Sequence, residues 1–246
     1  MKPDKTPDFS GKIALVTGAS RGIGRASALA LAKAGAHVLA LARTVGALEE
    51  LDDEIANAGG KASLIPADLL EFETVDQLGP TLEKRFKKLD ILILNAGALG
   101  ELAPIPDISP KAWRRAFDTN VEANWRLLRT LDPLLRASRG ARVIVLTSRI
   151  GGEIARPFWG AYAASKAALE MLARTYAEET RQAGVRVAIV DPGAMRTKMR
   201  AEAMPGETPE TLPHPSEIAP LILHAASPEY DGNAARLVFR ASTASG

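Results

Sequence analysis

The segment "ALVTGASRGIGRASALALAKAG", residues 14–35, decides the fold. It starts in an aliphatic run and passes through Gly18, Gly22 and Gly24. It then continues as an alanine- and leucine-rich stretch with helical spacing. A strand, a glycine loop and a helix in that order form the first half of a βαβ unit. Glycines at these places let the backbone turn tightly, approach a pyrophosphate and pack the helix close to the sheet. The helix N-terminus then offers free N–H groups and a positive dipole end to the phosphates. A lone glycine triplet is a weak signal, and a plain turn is the other reading. A triplet directly after the first strand of a βαβ unit is much more specific.

The rest of the chain repeats this alternation. Short β-branched or aliphatic runs predict strands at 13–17, 37–41, 63–66, 90–94, 142–147, 185–190 and 236–239. Amphipathic stretches predict helices near 22–34, 45–58, 72–87, 110–137, 162–183 and 216–226. Runs such as "ILIL" and "VIVL" are apolar at successive positions, as in strands covered on both faces. The expectation is therefore an α/β chain: one Rossmann-fold domain over residues 1–246, with a seven-stranded parallel sheet and helices on both faces. One stretch, 195–215 ("MRTKMRAEAMPGETPETLPHP"), breaks the alternation after the sixth strand. It reads either as a solvated loop or as a substrate lid over the carboxyl ends of the strands.

Composition excludes several function classes. Of 246 residues, 46% are hydrophobic and 24% charged, an ordinary globular balance. The net charge of +2, spread among acidic residues, gives no reason to expect nucleic acid as a partner. There is no cysteine, so neither disulfides nor a thiolate metal site can form. His37, His214 and His224 have no metal-ligand spacing, and no metal is expected. No apolar run approaches the ~20 residues of a membrane span. The first eleven residues read as a polar arm rather than a secretory signal, so a cytoplasmic protein with no membrane partner is expected.

The second strand indicates which dinucleotide the loop would hold. Where it ends, an NAD site usually places a carboxylate on the adenosine ribose. Here Ala42 and Arg43 follow one another, so nothing repels a 2′-phosphate and a guanidinium can pair with one. Arg21 adds a second cation within the glycine loop. NADP(H) is the expected cofactor, with NAD(H) the alternative.

Further along, "VIVLTSRIGGEIARPFWGAYAASKAALEML" (143–172) places Tyr162 and Lys166 four residues apart, on one face of a helix. A free tyrosine has a pKa of ~10, too high for an efficient base near neutrality. A neighbouring ammonium group lowers it by about 1–3 pKa units. Such a tyrosine gives a proton to a carbonyl oxygen or takes one from an alcohol.

The spacing Thr-Gly-x-x-x-Gly-x-Gly, with "NAG" at 95–97, Tyr-x-x-x-Lys at 162–166 and "DPGAMRT" at 191–197, resembles the short-chain dehydrogenase/reductase family. Its motifs appear in family order across most of the chain. Within the family, "NAGALGELAPI" and "RTKMRAEAMPGETPE" resemble a bacterial branch of uncharacterised short-chain oxidoreductases. The resemblance implies a cofactor loop of Gly18, Ser20, Arg21, Gly22, Ile23 and Gly24, with Arg43 beyond it. It further implies Asp68 at the adenine and Asn95, Ala96 and Gly97 beside the cofactor. Tyr162 and Lys166 lie at the nicotinamide ribose, followed by Pro192 and Gly193, and Thr197 at the carboxamide. The implied catalytic set is Asn120, Ser148, Tyr162 and Lys166, with Asn120 perturbing its helix to hold a water that links the lysine to solvent.

The serine carries an alternative. Strand end and the following Gly151 favour Ser148, but the gap to Tyr162 is one residue longer than the family's usual, and ungapped counting puts Arg149 in its place. The implied activity is hydride transfer between a nicotinamide and a small-molecule carbonyl or secondary alcohol. The competing reading is a nucleotide-binding regulator or scaffold that has lost turnover. By resemblance, a homodimer or homotetramer is expected.

Overall fold

The computed structural model describes residues 7–241; the first six residues of the N-terminal arm and the last five of the chain lie outside the described residues. Among the described residues seven strands form: β1 (Ile13–Thr17), β2 (His37–Ala42), β3 (Lys61–Pro66), β4 (Ile91–Leu94), β5 (Arg142–Leu146), β6 (Arg186–Asp191) and β7 (Ala235–Val238). They make one sheet in the order β3-β2-β1-β4-β5-β6-β7, with every pair parallel. The helices are α1 (Gly22–Lys33), α2 (Val45–Asn57), α3 (Phe72–Asp76), α4 (Leu78–Arg85), α5 (Pro110–Phe117), α6 (Ala123–Ala137), α8 (Gly160–Thr180), α9 (Lys198–Ala203) and α10 (Ala219–Ala226). Between β5 and α8 lies α7 (Arg149–Gly152), a single turn whose backbone leaves helical geometry at Ile150 and Gly151.

The strands read as apolar runs because both faces are covered. Ala14, Val16, Ile93 and Ile144 face one core layer with side chains of α1, α2 and α10. Leu15, Leu92, Val143 and Val145 face the other, with α4, α6 and α8. Leu15, Leu39 and Leu92 are fully buried, so trimming any of them to alanine would cost about 2–5 kcal/mol. After β3 the chain crosses to the far side of β1, and the strand order reverses between β1 and β4. Doubly wound sheets bind ligands above the carboxyl ends of the strands at such a reversal.

Two predicted helices depart from their simple form. The stretch 72–87 is α3 and α4, parted at Gln77. Pro80 has no N–H to give the Asp76 carbonyl one turn earlier. The Thr130 hydroxyl of α6 donates to that carbonyl instead, at 2.7 Å, and accepts from the Gly79 N–H at 3.1 Å. The stretch 110–137 is α5 and α6 joined by a π-helical turn, Asp118–Glu122, with Asn120 buried in it. Both departures arise from local backbone bonding that apolar spacing does not encode.

At the amino end of the sheet, Asp90 is 3% exposed. It accepts from the Ile13 N–H at 3.0 Å, Lys88 at 2.9 Å, Lys12 at 3.3 Å and Ser138 at 2.7 Å. Burial alone would raise its pKa, but these donors and the Lys12 charge outweigh it and hold the carboxyl below the ordinary aspartate value. A depressed carboxyl contributes stability that is complete above its unfolded pKa and is lost as the pH falls through its folded one. Asp90→Ala is therefore expected to destabilise the fold by about 1–3 kcal/mol at pH 7, chiefly by leaving the Ile13 N–H and the Ser138 hydroxyl without their acceptor. The deficit relative to wild type should shrink in urea unfolding as the pH drops below the aspartate range.

Candidate active site

The glycine loop closes over the end of β1. Gly18 and Gly22 take positive φ values of 65° and 55°. Gly24 lies against the loop itself: a Cβ there would overlap the Gly18 carbonyl and fall 2.5 Å from Asn95 Nδ2. No side chain caps the N-terminus of α1, and its first turn holds no acid, so its N–H groups stay open to an anion. Ile23 packs onto the core, Ser20 is half-buried and Arg21 is exposed. These residues form a phosphate cradle that fits a dinucleotide.

The cradle is stapled to the chain after β4. The Thr17 hydroxyl accepts from the N–H groups of Asn95 and Ala96, both at 3.0 Å, and donates to the Ile93 carbonyl at 3.2 Å. Asn95 Nδ2 returns a bond to the Thr17 carbonyl at 2.8 Å. Gly97 leads on towards Lys166: a Cβ at this glycine would meet Asn120 Oδ1 at 3.1 Å and Lys166 Nζ at 3.5 Å.

At the end of β2, Ala42 is buried and Arg43 exposed. Arg43 Nη1 lies 3.4 Å from Asp68 Oδ2, so two of the expected cofactor residues pair with each other. At the far side, Gly193 donates its N–H to Asp191 Oδ1 at 3.0 Å, in the turn that follows Pro192. Thr197 caps α9, accepting from the Arg200 N–H at 3.2 Å, and its methyl lies beside Gly22. The 195–215 stretch thus begins against the glycine loop.

Tyr162 and Lys166 project from the first turns of α8 and are both buried. Lys166 Nζ donates to the Leu146 carbonyl at 2.9 Å and sits 5.8 Å from the Tyr162 ring centroid. Ser148 lies at the end of β5, and its Oγ also accepts from the Ile150 N–H at 3.2 Å. Burial pushes the Tyr162 phenol up to about 12; a hydrogen bond with Ser148 opposes this and the charge of Asp191 adds to it. Burial alone brings Lys166 down to about 8. Spacing alone predicts a phenol drawn below its free value; burial instead carries it above, outweighing the lowering by Ser148.

Arg149 turns away. It is exposed and faces Glu153 at 3.9 Å, whereas the Ser148 hydroxyl is the one that acts to lower the pKa of the Tyr162 phenol. Asn120 Oδ1 accepts from the Ala98 N–H at 2.7 Å; its Nδ2 donates to the Ala98 carbonyl and Ser165 Oγ, both at 2.9 Å. Its own carbonyl accepts from Asn124 Nδ2 at 2.9 Å. Asn120 therefore ties the Asn-Ala-Gly loop to α8. Trp159 packs edge-on against Tyr162 at 5.6 Å, within an apolar cluster of Leu99, Ile150 and Ala203 that Met199 and Met204 cover. The segment after β6 thus lies over the tyrosine. An apolar recess formed by Pro104, Ile105, Arg156, Phe158 and Ala163 flanks the same helix, but none of Ser148, Tyr162 or Lys166 lines it.

Sequence reasoning passed over Ser165, Glu170 and Arg236. Ser165 links Asn120 to the Tyr162 carbonyl at 2.8 Å. A charged residue inside the otherwise apolar run of β7 was the available signal for Arg236. Among the described residues, no group of three or more His, Cys, Asp or Glu residues is placed to hold a metal. No described helix is long and apolar enough to cross a membrane.

This geometry has close counterparts. Residues 12–208 match the family model described as short chain dehydrogenase, and the chain belongs to that family. The chain is similar to the uncharacterized oxidoreductase YciK of Escherichia coli K12, with 38% identity over 215 residues, covering 86% of this chain and 84% of that one. It is also similar to a short chain dehydrogenase from Shigella flexneri 2a solved with NADP, at 34% identity and TM-score 0.90, covering 95% of this chain and 99% of that one. A short chain dehydrogenase from Escherichia coli CFT073 solved with NADPH gives 34% identity and TM-score 0.89, covering 95% and 98%.

Gly24→Ala is expected to lower the unfolding free energy by about 1–3 kcal/mol, since its methyl meets backbone that cannot yield. Gly46→Ala, in α2 with nothing within 4 Å, is the control and should be neutral or slightly stabilising. Urea denaturation of the two variants measures the contrast.

Proposed function

We propose that this short-chain dehydrogenase is an NADP(H)-dependent oxidoreductase acting on a carbonyl or secondary alcohol, with Tyr162 as general acid/base. The observation that carries this reading is the placement of Tyr162 and Lys166 together on the buried face of α8, with Lys166 Nζ 5.8 Å from the Tyr162 ring and close to Gly97 of the Asn-Ala-Gly loop. When bound, the nicotinamide would supply or accept the hydride. Gly18, Ser20, Arg21, Gly22, Ile23 and Gly24 would hold its phosphates, with Asn95, Ala96, Gly97, Pro192, Gly193 and Thr197 along its remaining length. Arg43 would leave Asp68 for the 2′-phosphate, a stronger and bidentate partner, and free Asp68 for the adenine side. The NADP and NADPH bound by the two solved relatives support that choice.

The proton chemistry follows from the side chains. With its phenol up at about 12, Tyr162 is protonated at neutral pH. It is then ready to give its proton to a carbonyl oxygen as that oxygen gains charge. Ser148 donates a hydrogen bond to the same oxygen and holds it against the phenol. Lys166, buried and near 8, is still largely protonated at pH 7, and its charge stabilises the phenolate left behind. Alcohol oxidation runs the same steps backwards. Asn120 keeps the Asn-Ala-Gly loop in register with α8, so that Lys166 stays within reach of the tyrosine.

Leu99, Ile150, Trp159, Met199 and Met204 would give the substrate a largely apolar seat, and 195–215 would act as its lid. Trp113, Trp125 and Met171, exposed on α5, α6 and α8, would suit a face that pairs with a second copy of the chain. The scaffold alternative predicts NADPH binding with no turnover.

Tyr162→Phe is expected to lower kcat by about 10²–10⁴-fold while leaving NADPH affinity within a few-fold. NADPH oxidation against a panel of ketones and aldehydes measures the first and fluorescence titration the second. Wild-type protein that binds NADPH tightly and oxidises none of the panel would favour the scaffold reading. Separately, Ala42→Asp should move the NADPH/NADH ratio of kcat/KM at least ten-fold towards NADH. An unchanged ratio would remove the assignment of the 2′-phosphate to this corner.

A further inference from the structure

Beneath the tyrosine lies a cluster of charges that the proposed reaction does not use. Arg236, on β7, is 11% exposed and reaches inward to three carboxylates. Its Nη2 bonds Glu170 Oε2 of α8, its Nη1 lies 3.6 Å from Asp191 Oδ2 at the end of β6, and its Nε lies 3.5 Å from Glu153 Oε1 after α7. Glu170 is shared with Arg174 at 2.7 Å and lies 3.4 Å from the Thr147 hydroxyl, next to Ser148. Gly152 lies directly over the guanidinium, where a Cβ would collide with Nη2.

We propose that Arg236 is a positioning residue for the reaction. Its guanidinium locks the Ser148 loop, α8 and the end of β6 into one block and sets a cation against Asp191. This rests on the reading of Tyr162 as the acid/base. The three segments joined by Arg236 carry Ser148, Tyr162 with Lys166, and the Pro192-Gly193 turn. The loop from Ser148 to Tyr162 is held at Gly151, packed on the Ala163 carbonyl, and at Gly152, packed on Arg236.

The electrostatic part has a defined sign. The ionisable groups that act on Tyr162 are Lys166 from its own helix and Asp191 from β6, together with the Ser148 hydroxyl from the loop after β5. Those facing Arg236 are Glu153, Glu170 and Asp191, with Arg174 shared through Glu170. Arg200 and Glu207 of the overlying segment satisfy each other at 2.6 Å. Asp191 opposes a negative charge on the tyrosine, and Arg236 is the cation set against Asp191. A buried ion pair adds little to stability on average, so its effect on the neighbouring proton is the quantity to measure.

The test is a charge cycle, read as pH profiles of kcat/KM after Tyr162→Phe has identified the tyrosine-dependent limb in the wild type. Arg236→Met is expected to move that limb up by about half to one pH unit, since Asp191 then acts unscreened. Asp191→Asn keeps the hydrogen-bond acceptor for Gly193 and should move it down. The double variant should return it to within about 0.2 of wild type, and Arg236→Lys should hold the limb while lowering kcat, because the charge stays and the fork is lost. A limb that Arg236→Met leaves in place, or a double variant that coincides with either single one, overturns the proposal even where kcat falls. Should Arg236→Met not fold, Asp191→Asn and the double variant decide between them: coincident limbs refute it. An inactive wild type, or one indifferent to Tyr162→Phe, would instead sink the acid/base reading and this proposal with it.

Discussion

The Thr17 hydroxyl is the joint on which the site depends. It takes two backbone N–H groups from the end of β4, while Asn95 returns its amide to the β1 carbonyl. Strands β1 and β4 are neighbours only because the strand order reverses between them, so no ladder continues above them to hold their loops together. The Thr17–Asn95 exchange supplies those bonds, in a place where unpaired backbone groups would be costly. It fixes the glycine cradle relative to the Asn-Ala-Gly loop. From there Ala98, Asn120 and Ser165 carry the same register to α8 and its tyrosine.

Burial sets the charge state of this assembly. Taking a phenol and an ammonium out of water favours the neutral form of each, and both shift that way: the tyrosine to about 12, the lysine to about 8. The site keeps the phenol protonated at neutral pH and leaves the lysine largely charged, its ammonium donating to the Leu146 carbonyl. It also holds the proton on the oxygen that a carbonyl would need. On the proposed reading of Tyr162 as acid/base, reduction would start from this protonation state and oxidation would first have to create a phenolate.

Much of the fold was legible because its signals are local and repeated. Strand runs covered on both faces, the glycine loop and the βα alternation each name the same architecture, and the strands fall within two residues of their expected limits. Less legible were features decided by a distant partner. The break at Gln77 needs Pro80 and the hydroxyl of Thr130, fifty residues further on. Asn120 was legible as a residue but not in its bonding: its side chain is used on Ala98 and Ser165, and its carbonyl on Asn124. The sign of the tyrosine shift was misread because sequence spacing shows the lysine and hides the burial. Arg236 went unnoticed because its three carboxylates come from three different elements.

The spacing between Ser148 and Tyr162 shows how such ambiguities resolve. Counting residues back from the tyrosine favours Arg149, whereas reading the backbone favours Ser148. The two disagree because a count assumes a fixed loop path. Here the chain leaves helical geometry at Ile150, takes a φ of 94° at Gly151, and packs Gly152 onto a guanidinium. Those glycines occupy places where a side chain would strike Ala163 or Arg236, so the path is set by contacts, and further along Phe158 takes a positive φ of 72°. Strand end and glycine are tied to backbone that cannot slide, and the length of the following loop is not. Arg149 is exposed after that turn and faces Glu153 at 3.9 Å, which favours the serine as the phenol's partner.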